Sequence, residues 1–181
     1  MSENSEEQNG EALSCRCPDT YPDWDGTDQV FAGRLVHRMK IPSFFHMPFA
    51  YDLYVGKQEE NIHQLDLIEI WPGLVLARTG MWGGEIIRFI EDAQSPSRLV
   101  KTLPPPFDVN VMLHHGGIGT IQKTLREQQM RLTDAGRMPK ELYLAHLACP
   151  ACEERKGGEK IFLIRRWESS KRLQDKIKKR S

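Results

Sequence analysis

Apolar and polar positions alternate with two different periods along this chain, and the switches between them divide it into elements. Residues 30–41, VFAGRLVHRMKI, are rich in β-branched and apolar side chains and stop at Pro42, which predicts a strand. Pro48 suits a first helical position, and Phe49, Leu53, Ile62 and Leu65 share a face in a helix reaching about Leu65. LIEI and GLVLARTG read as two short strands around the turn Trp71-Pro72-Gly73, and Gly83-Gly84 is expected to open a helix carrying Ile86, Ile87 and Ile90. Four prolines between Ser95 and Pro106 mark a loop. FDVNVML alternates as a strand, Thr120 to Ala135 is the strongest helical stretch with Gly136 as its C-cap, and KELYLAHLA and EKIFLIRRW predict strands joined by a hairpin through CPACEERKGG.

The order strand, helix, strand, strand thus occurs twice, with a further helix expected after Gly84. Strands joined by hairpins need no crossover, so the expected class is α+β: a mainly antiparallel sheet built from strand-helix-strand-strand units, with the helices packed on one side. GLVLARTGMWGGEIIRFIEDA and VNVMLHHGGIGTIQKTLREQQ also read alike, each as strand, glycine turn and helix, an echo that fits either a duplication or the shared grammar of two such turns.

Charge changes the picture at the ends only. The 181 residues carry 25 bases and 25 acids, yet residues 1–28 hold eight acids against Arg16, and residues 165–181 hold eight bases against Glu168 and Asp175. Three parts follow: an acidic, largely disordered segment at 1–28, one α+β domain at 29–168, and a basic tail or short helix at 169–181. Opposite charges at head and tail make a homodimer a candidate, although exposed pairs contribute little. The balanced total and the lack of aromatics among the tail's bases do not point to nucleic acid. No apolar stretch approaches the roughly 20 residues of a membrane span, and MSENSEEQNG has neither the basic nor the apolar part of a secretory signal. The expected location is the cytoplasm.

Candidate chemistry gathers at turns. His114, His115, Gly116 and Gly117 lie between a strand and a helix, where bare backbone amides can approach an anion. Arg78, Trp82 and Glu85 flank the turn at Gly83-Gly84. Cys149-Pro150-Ala151-Cys152 has the knuckle spacing of a structural zinc site, and Cys15 with Cys17 could complete four ligands if the first segment folds back; otherwise His146 or His115 must contribute. The alternatives are unliganded thiols or a redox pair, the latter disfavoured because the first cysteine of the hairpin follows a strand and not a helix N-terminus, and no other cofactor is indicated. The aspartates of PDTYPDWDGTD miss the spacing of a calcium loop.

VMLHHGG, the helix through LREQQMRLTDAG, and then KELYL and EKIFLI resemble the GyrI-like small-molecule-binding domains over about residues 107–167. In that family a strand ends in a His-rich turn, a long helix follows, and two strands close a module that pairs with another around a ligand cleft. The resemblance implies His115 at the turn, and Glu141 and Tyr143 on the strand facing the cleft. The Cys-Pro-x-Cys hairpin is not part of that pattern. Two functions are therefore expected of one cleft between two strand-turn-helix units. The first is binding of a small molecule by Arg78, Trp82, Gly116, Gly117, Glu141 and Tyr143. The alternative is a small hydrolase using His114 or His115 with Glu85.

Overall fold

The computed structural model describes residues 15–92, 97–149 and 151–179, so residues 1–14 of the segment expected to be largely disordered and part of the proline loop lie outside the described residues. In chain order the elements are β1 (Asp28–Val30), β2 (Leu35–Ile41), a small hairpin of β3 (Ser43–Phe44) and β4 (Met47–Pro48), α1 (Tyr51–Gln64), β5 (Leu76–Thr79), β6 (Gly84–Phe89), β7 (Val100–Thr102), β8 (Asp108–His115), a 3-10 turn at Ile118–Thr120, α2 (Gln122–Asp134), β9 (Arg137–Ala148), the single turn α3 (Glu153–Lys156), β10 (Lys160–Ser169) and α4 (Lys171–Lys178). Eight of the strands form one sheet in the order β1-β8-β10-β9-β5-β6-β2-β7, every pairing antiparallel. None of the described helices is long and apolar enough to cross a membrane.

Two modules of the same order make up this sheet. β2-α1-β5-β6 pairs as β5-β6-β2, and β8-α2-β9-β10 pairs as β9-β10-β8. Register carries the correspondence further: Met39 faces Ile86 as Met112 faces Leu163, and His37 faces Arg88 as Asn110 faces Arg165. In the first module the buried amide of Gln58 donates to the His37 and Ile86 carbonyls. Gln128 in the second does the same to Asn110 and Leu163, each at 2.9 Å. Ala77 and Leu144 occupy matching places and pair with each other, so the modules meet about a local two-fold. The echo therefore relates β2 to β8, α1 to α2 and β6 to β10, rather than the stretches that read alike in sequence.

Alternation in the strands separates two apolar layers. On one face Ile86 packs with Ile41, Val55 and Val75 beneath α1, and Leu163 packs with Ile121 and Ile161 beneath α2. Their strand neighbours Ile87 and Ile164 point the other way, into a core with Val36, Leu76, Val111 and Phe162. The segment before β1 covers part of that second face: Trp24 is 5% exposed and stands edge-on to Trp71 at 4.7 Å.

Several expectations are corrected. Residues 84–89 are a strand and not a helix, because the run GEIIRF is buried on both faces and so loses the alternation that marks a half-buried strand. Gly80 N–H donates to Gly83 O at 2.8 Å, closing a hairpin from β5 into β6. One of the two expected strand-turn-helix units is therefore a strand-turn-strand. The strand expected at 30–41 is split by the turn at Gly33, whose φ is 80°. Pro48 lies in β4, and α1 begins three residues later. Of LIEI only Glu69 pairs, with Ile90. Lys171–Lys178 form the short helix α4, capped by Ser170 Oγ and docked on the Gly136 turn, where Ser170 N–H donates to Gly136 O at 3.0 Å.

Candidate functional site

Where the modules meet, on the face away from α1 and α2, a cavity of about 290 Å3 opens among β2, β5, β6, β9 and β10. Parity on the strands decides what enters it. Arg78 pairs with Glu85 across β5 and β6, and Arg38 pairs with Ile87 across β2 and β6, so all four side chains share one face. Tyr143 and Glu141, two apart on β9, join them from the other module, with Arg166 of β10 beside Glu141. Pro104, Pro105, Pro106 and Phe107 form the opposite wall.

Glu85 is the centre of the arrangement and is 3% exposed. Its Oε1 accepts from Arg78 Nε at 2.9 Å and from the Tyr143 hydroxyl at 3.0 Å. Its Oε2 accepts from Arg38 Nε at 2.5 Å and also faces Arg38 Nη2. A buried carboxylate needs such partners, since an unpaired charge out of water is costly. Burial, the charge of Glu85 and the hydrogen bond to it push the Tyr143 phenol well above its usual range, so it stays a proton donor. At the rim Arg166 grips Glu141 through Nε at 2.6 Å and Nη2 at 3.3 Å, and this holds the Glu141 carboxyl below its usual range. Both arginines on Glu85 keep more than a third of their side chains in solvent. Each guanidinium has more N–H donors than Glu85 takes, so acceptor groups of a ligand can be met at the mouth. Ile87, Leu103 and Phe107 supply an apolar lining.

Four sequence candidates, Arg78, Glu85, Glu141 and Tyr143, thus come together here. The others do not. His114 is buried on the α2 side, its ring nitrogens at 2.9 Å from Thr120 Oγ1 and 2.9 Å from Thr124 Oγ1, where it ties the strand end to the helix start. His115 is exposed and, like His114, does not line this cavity. The pairing of a histidine with Glu85 is therefore not present. Gly116 N–H donates to Glu159 O at 2.8 Å, and the Glu159 carboxylate lies against Gly117, occupying the place where an external anion was expected. Trp82 is 76% exposed at the β5–β6 turn, with its ring 5.3 Å from that of Phe44. Sequence reasoning passed over Arg38 and Arg166. Their signal was a charged residue at alternate places in apolar strands, and in Arg166 the hairpin register that sets it near Glu141.

A second cavity of about 590 Å3 lies between α1 and the turn after β9, lined in part by Cys15, Cys17, Tyr51, Val55 and Cys149. It is larger, but among the described residues no buried charged group lines it, whereas Glu85 is buried in the smaller one. All four cysteines have come together beside it, with sulfur atoms within 4.8 Å of one another.

Fold and cavity define a class: an α+β protein of two paired strand-helix-strand-strand modules with a polar-centred pocket at their junction. Among solved structures, the crystal structure of the EcmrR C-terminal domain shares this fold with a TM-score of 0.59 at 8% identity, over 79% of this chain and 96% of that one. That likeness supports the GyrI-like architecture expected from the second half. No curated protein sequence matches the chain. The sequence model of the family described as "Bacterial hydrolase" matches residues 6–166, and the chain belongs to that family.

Proposed function

We propose that the protein binds a small organic molecule in the cavity centred on Glu85. The observation that carries this reading is the buried Glu85 carboxylate, held by Arg38, Arg78 and Tyr143 at the base of a pocket with an apolar wall. Ligand pockets are mostly apolar with a few convergent polar groups, and about 290 Å3 is at the small end of their range. The lining holds three arginines against two glutamates, which suits a compact ligand with an aromatic or aliphatic body and an acceptor such as a carbonyl or carboxylate.

The family supports a second reading, in which the bound molecule is hydrolysed. Here Glu85 exchanges one of its guanidinium hydrogen bonds for a water and takes its proton as the water attacks the carbonyl carbon of the ligand; the freed arginine N–H donates to the developing oxyanion, the bond to the leaving group breaks, the proton passes from Glu85 to that group, and no histidine takes part. Both readings are tested by screening small aromatic carbonyl compounds for a thermal shift and following each hit by mass spectrometry over time. Binding predicts shifts that vanish when Ile87→Trp fills the pocket. Hydrolysis adds a product 18 mass units heavier in total, absent with Glu85→Gln. Hits that shift the Ile87→Trp protein equally would overturn the assignment of the cavity.

A further inference from the structure

The cysteine cluster takes no part in the cavity at Glu85, and it joins two distant parts of the chain. Cys15 and Cys17 come from the segment before β1, and Cys149 and Cys152 from the turn that leaves β9; all four are free thiols. Cys15 Sγ lies 3.7 Å from Cys149 Sγ, and Cys149 Sγ lies 3.8 Å from Cys152 Sγ. Those are the edges of a particular tetrahedron: ligands bound to zinc at about 2.3 Å stand about 3.8 Å apart. Each pair also bends its backbone around a sulfur, with Cys17 N–H pointing to Cys15 Sγ at 3.4 Å and Cys149 N–H to Cys152 Sγ at 3.3 Å. Such N–H groups steady thiolates rather than thiols.

We propose that these four cysteines bind one zinc ion, forming a closed structural centre that fastens the first segment to the end of the sheet. Binding displaces the thiol protons to solvent and leaves a Zn(Cys)4 unit with a net double negative charge. A cation to offset it is in place: Lys156 Nζ donates to Pro18 O at 2.6 Å and reaches Cys17 O and Leu147 O, each at 3.4 Å, spanning both halves of the cluster. With four sulfur ligands no position is left for water or substrate, so the centre is structural. What it fastens matters to the core, because the same segment goes on to bury Trp24 against Phe31 and Trp71. It also closes a chain loop from residue 15 to residue 149, which gives the crosslink a large hold on the unfolded state.

The full chain, purified under reducing conditions with no added metal, is expected to contain about one zinc per chain by elemental analysis. Exchange for cobalt(II) should give the intense visible bands and sulfur-to-metal charge transfer of a tetrahedral tetrathiolate site. Stripping the metal should lower the melting temperature, and refilling should restore it. Cys15→Ser and Cys149→Ser, one from each half, should each lose the four-sulfur cobalt spectrum, while Lys156→Met keeps it. Reduced wild-type chain that takes up neither zinc nor cobalt, or cobalt bands unchanged in Cys15→Ser, would overturn the proposal. Neither result depends on whether the Glu85 cavity holds a ligand.

Discussion

Replacing His37 by glutamine should remove a large part of the protein's sensitivity to mild acid. His37 is fully buried between α1 and the sheet, opposite Arg88 on β6. The Gln58 amide lies 3.2 Å from its Nδ1 and donates to its own carbonyl at 3.1 Å, and Nε2 has no partner among the described residues. Burial, and after it the neighbouring Arg88 guanidinium, hold the imidazole at about 4 against an ordinary 6.5. Arg88 itself is fixed by Gln58, Glu59 and Glu69, so it cannot withdraw without breaking that set. The folded state thus favours neutral His37, and the group's contribution is complete above pH 6.5 and is lost as pH falls toward 4. At pH 4.5 the two values give about 2.5 kcal/mol of lost stability from this one residue. Urea unfolding of both proteins at pH 7.5 and pH 4.5 isolates it, since every other group is common to the two proteins. The wild type should lose about 2.5 kcal/mol more than His37→Gln between these pH values. Equal losses, or an imidazole titrating near 6.5 by NMR in the folded protein, would mean that burial beside Arg88 does not hold His37 neutral.

Tyr143→Phe removes a hydroxyl bonded to a buried carboxylate and should cost about 1.5–3 kcal/mol in urea unfolding at neutral pH. The raised phenol also makes the wild type lose stability as pH climbs above the ordinary tyrosine value of 10, and the variant's profile should be flatter there. Gly84→Ala separates strand from helix, since an added Cβ would stand 2.5 Å from the Arg78 carbonyl oxygen. It should destabilise by roughly 1–3 kcal/mol, whereas in a helix the same change would stabilise by about 0.5–1 kcal/mol. Gln128→Leu strips the donor shared by Asn110 O and Leu163 O, and thermal melting should show a loss of about 2 kcal/mol; an unchanged melt would mean this glutamine does not fasten α2 to the strands of its own module.

The second module was legible because its local signals agree with its environment. FDVNVML alternates since one parity, Val109 and Val111, faces the core while Asn110 faces Gln128 of α2. Gly136 ends α2 with φ 73°, as a C-cap should. The first module hid itself at GEIIRF, where apolar residues cover both faces and nothing in periodicity separates strand from helix. The same parity explains the histidines. His114 shares its parity with Asn110 and Met112 and so points to α2, away from the face that carries Glu85 and Tyr143. Arg78, Glu85, Glu141 and Tyr143 could be picked out as chemically apt, but their meeting depends on the β5–β9 junction, a long-range pairing with no local mark.

Methyl NMR on the isotopically labelled chain tests the location of the binding site most directly. A mixture of small aromatic carboxylates and ketones is titrated while the Ile, Leu and Val methyls are watched. Shifts should concentrate on Ile87 and Leu103, which line the Glu85 cavity. Shifts centred on Val55, Val75 and Ile118 around the larger cavity, with Ile87 and Leu103 unmoved, would contradict that location.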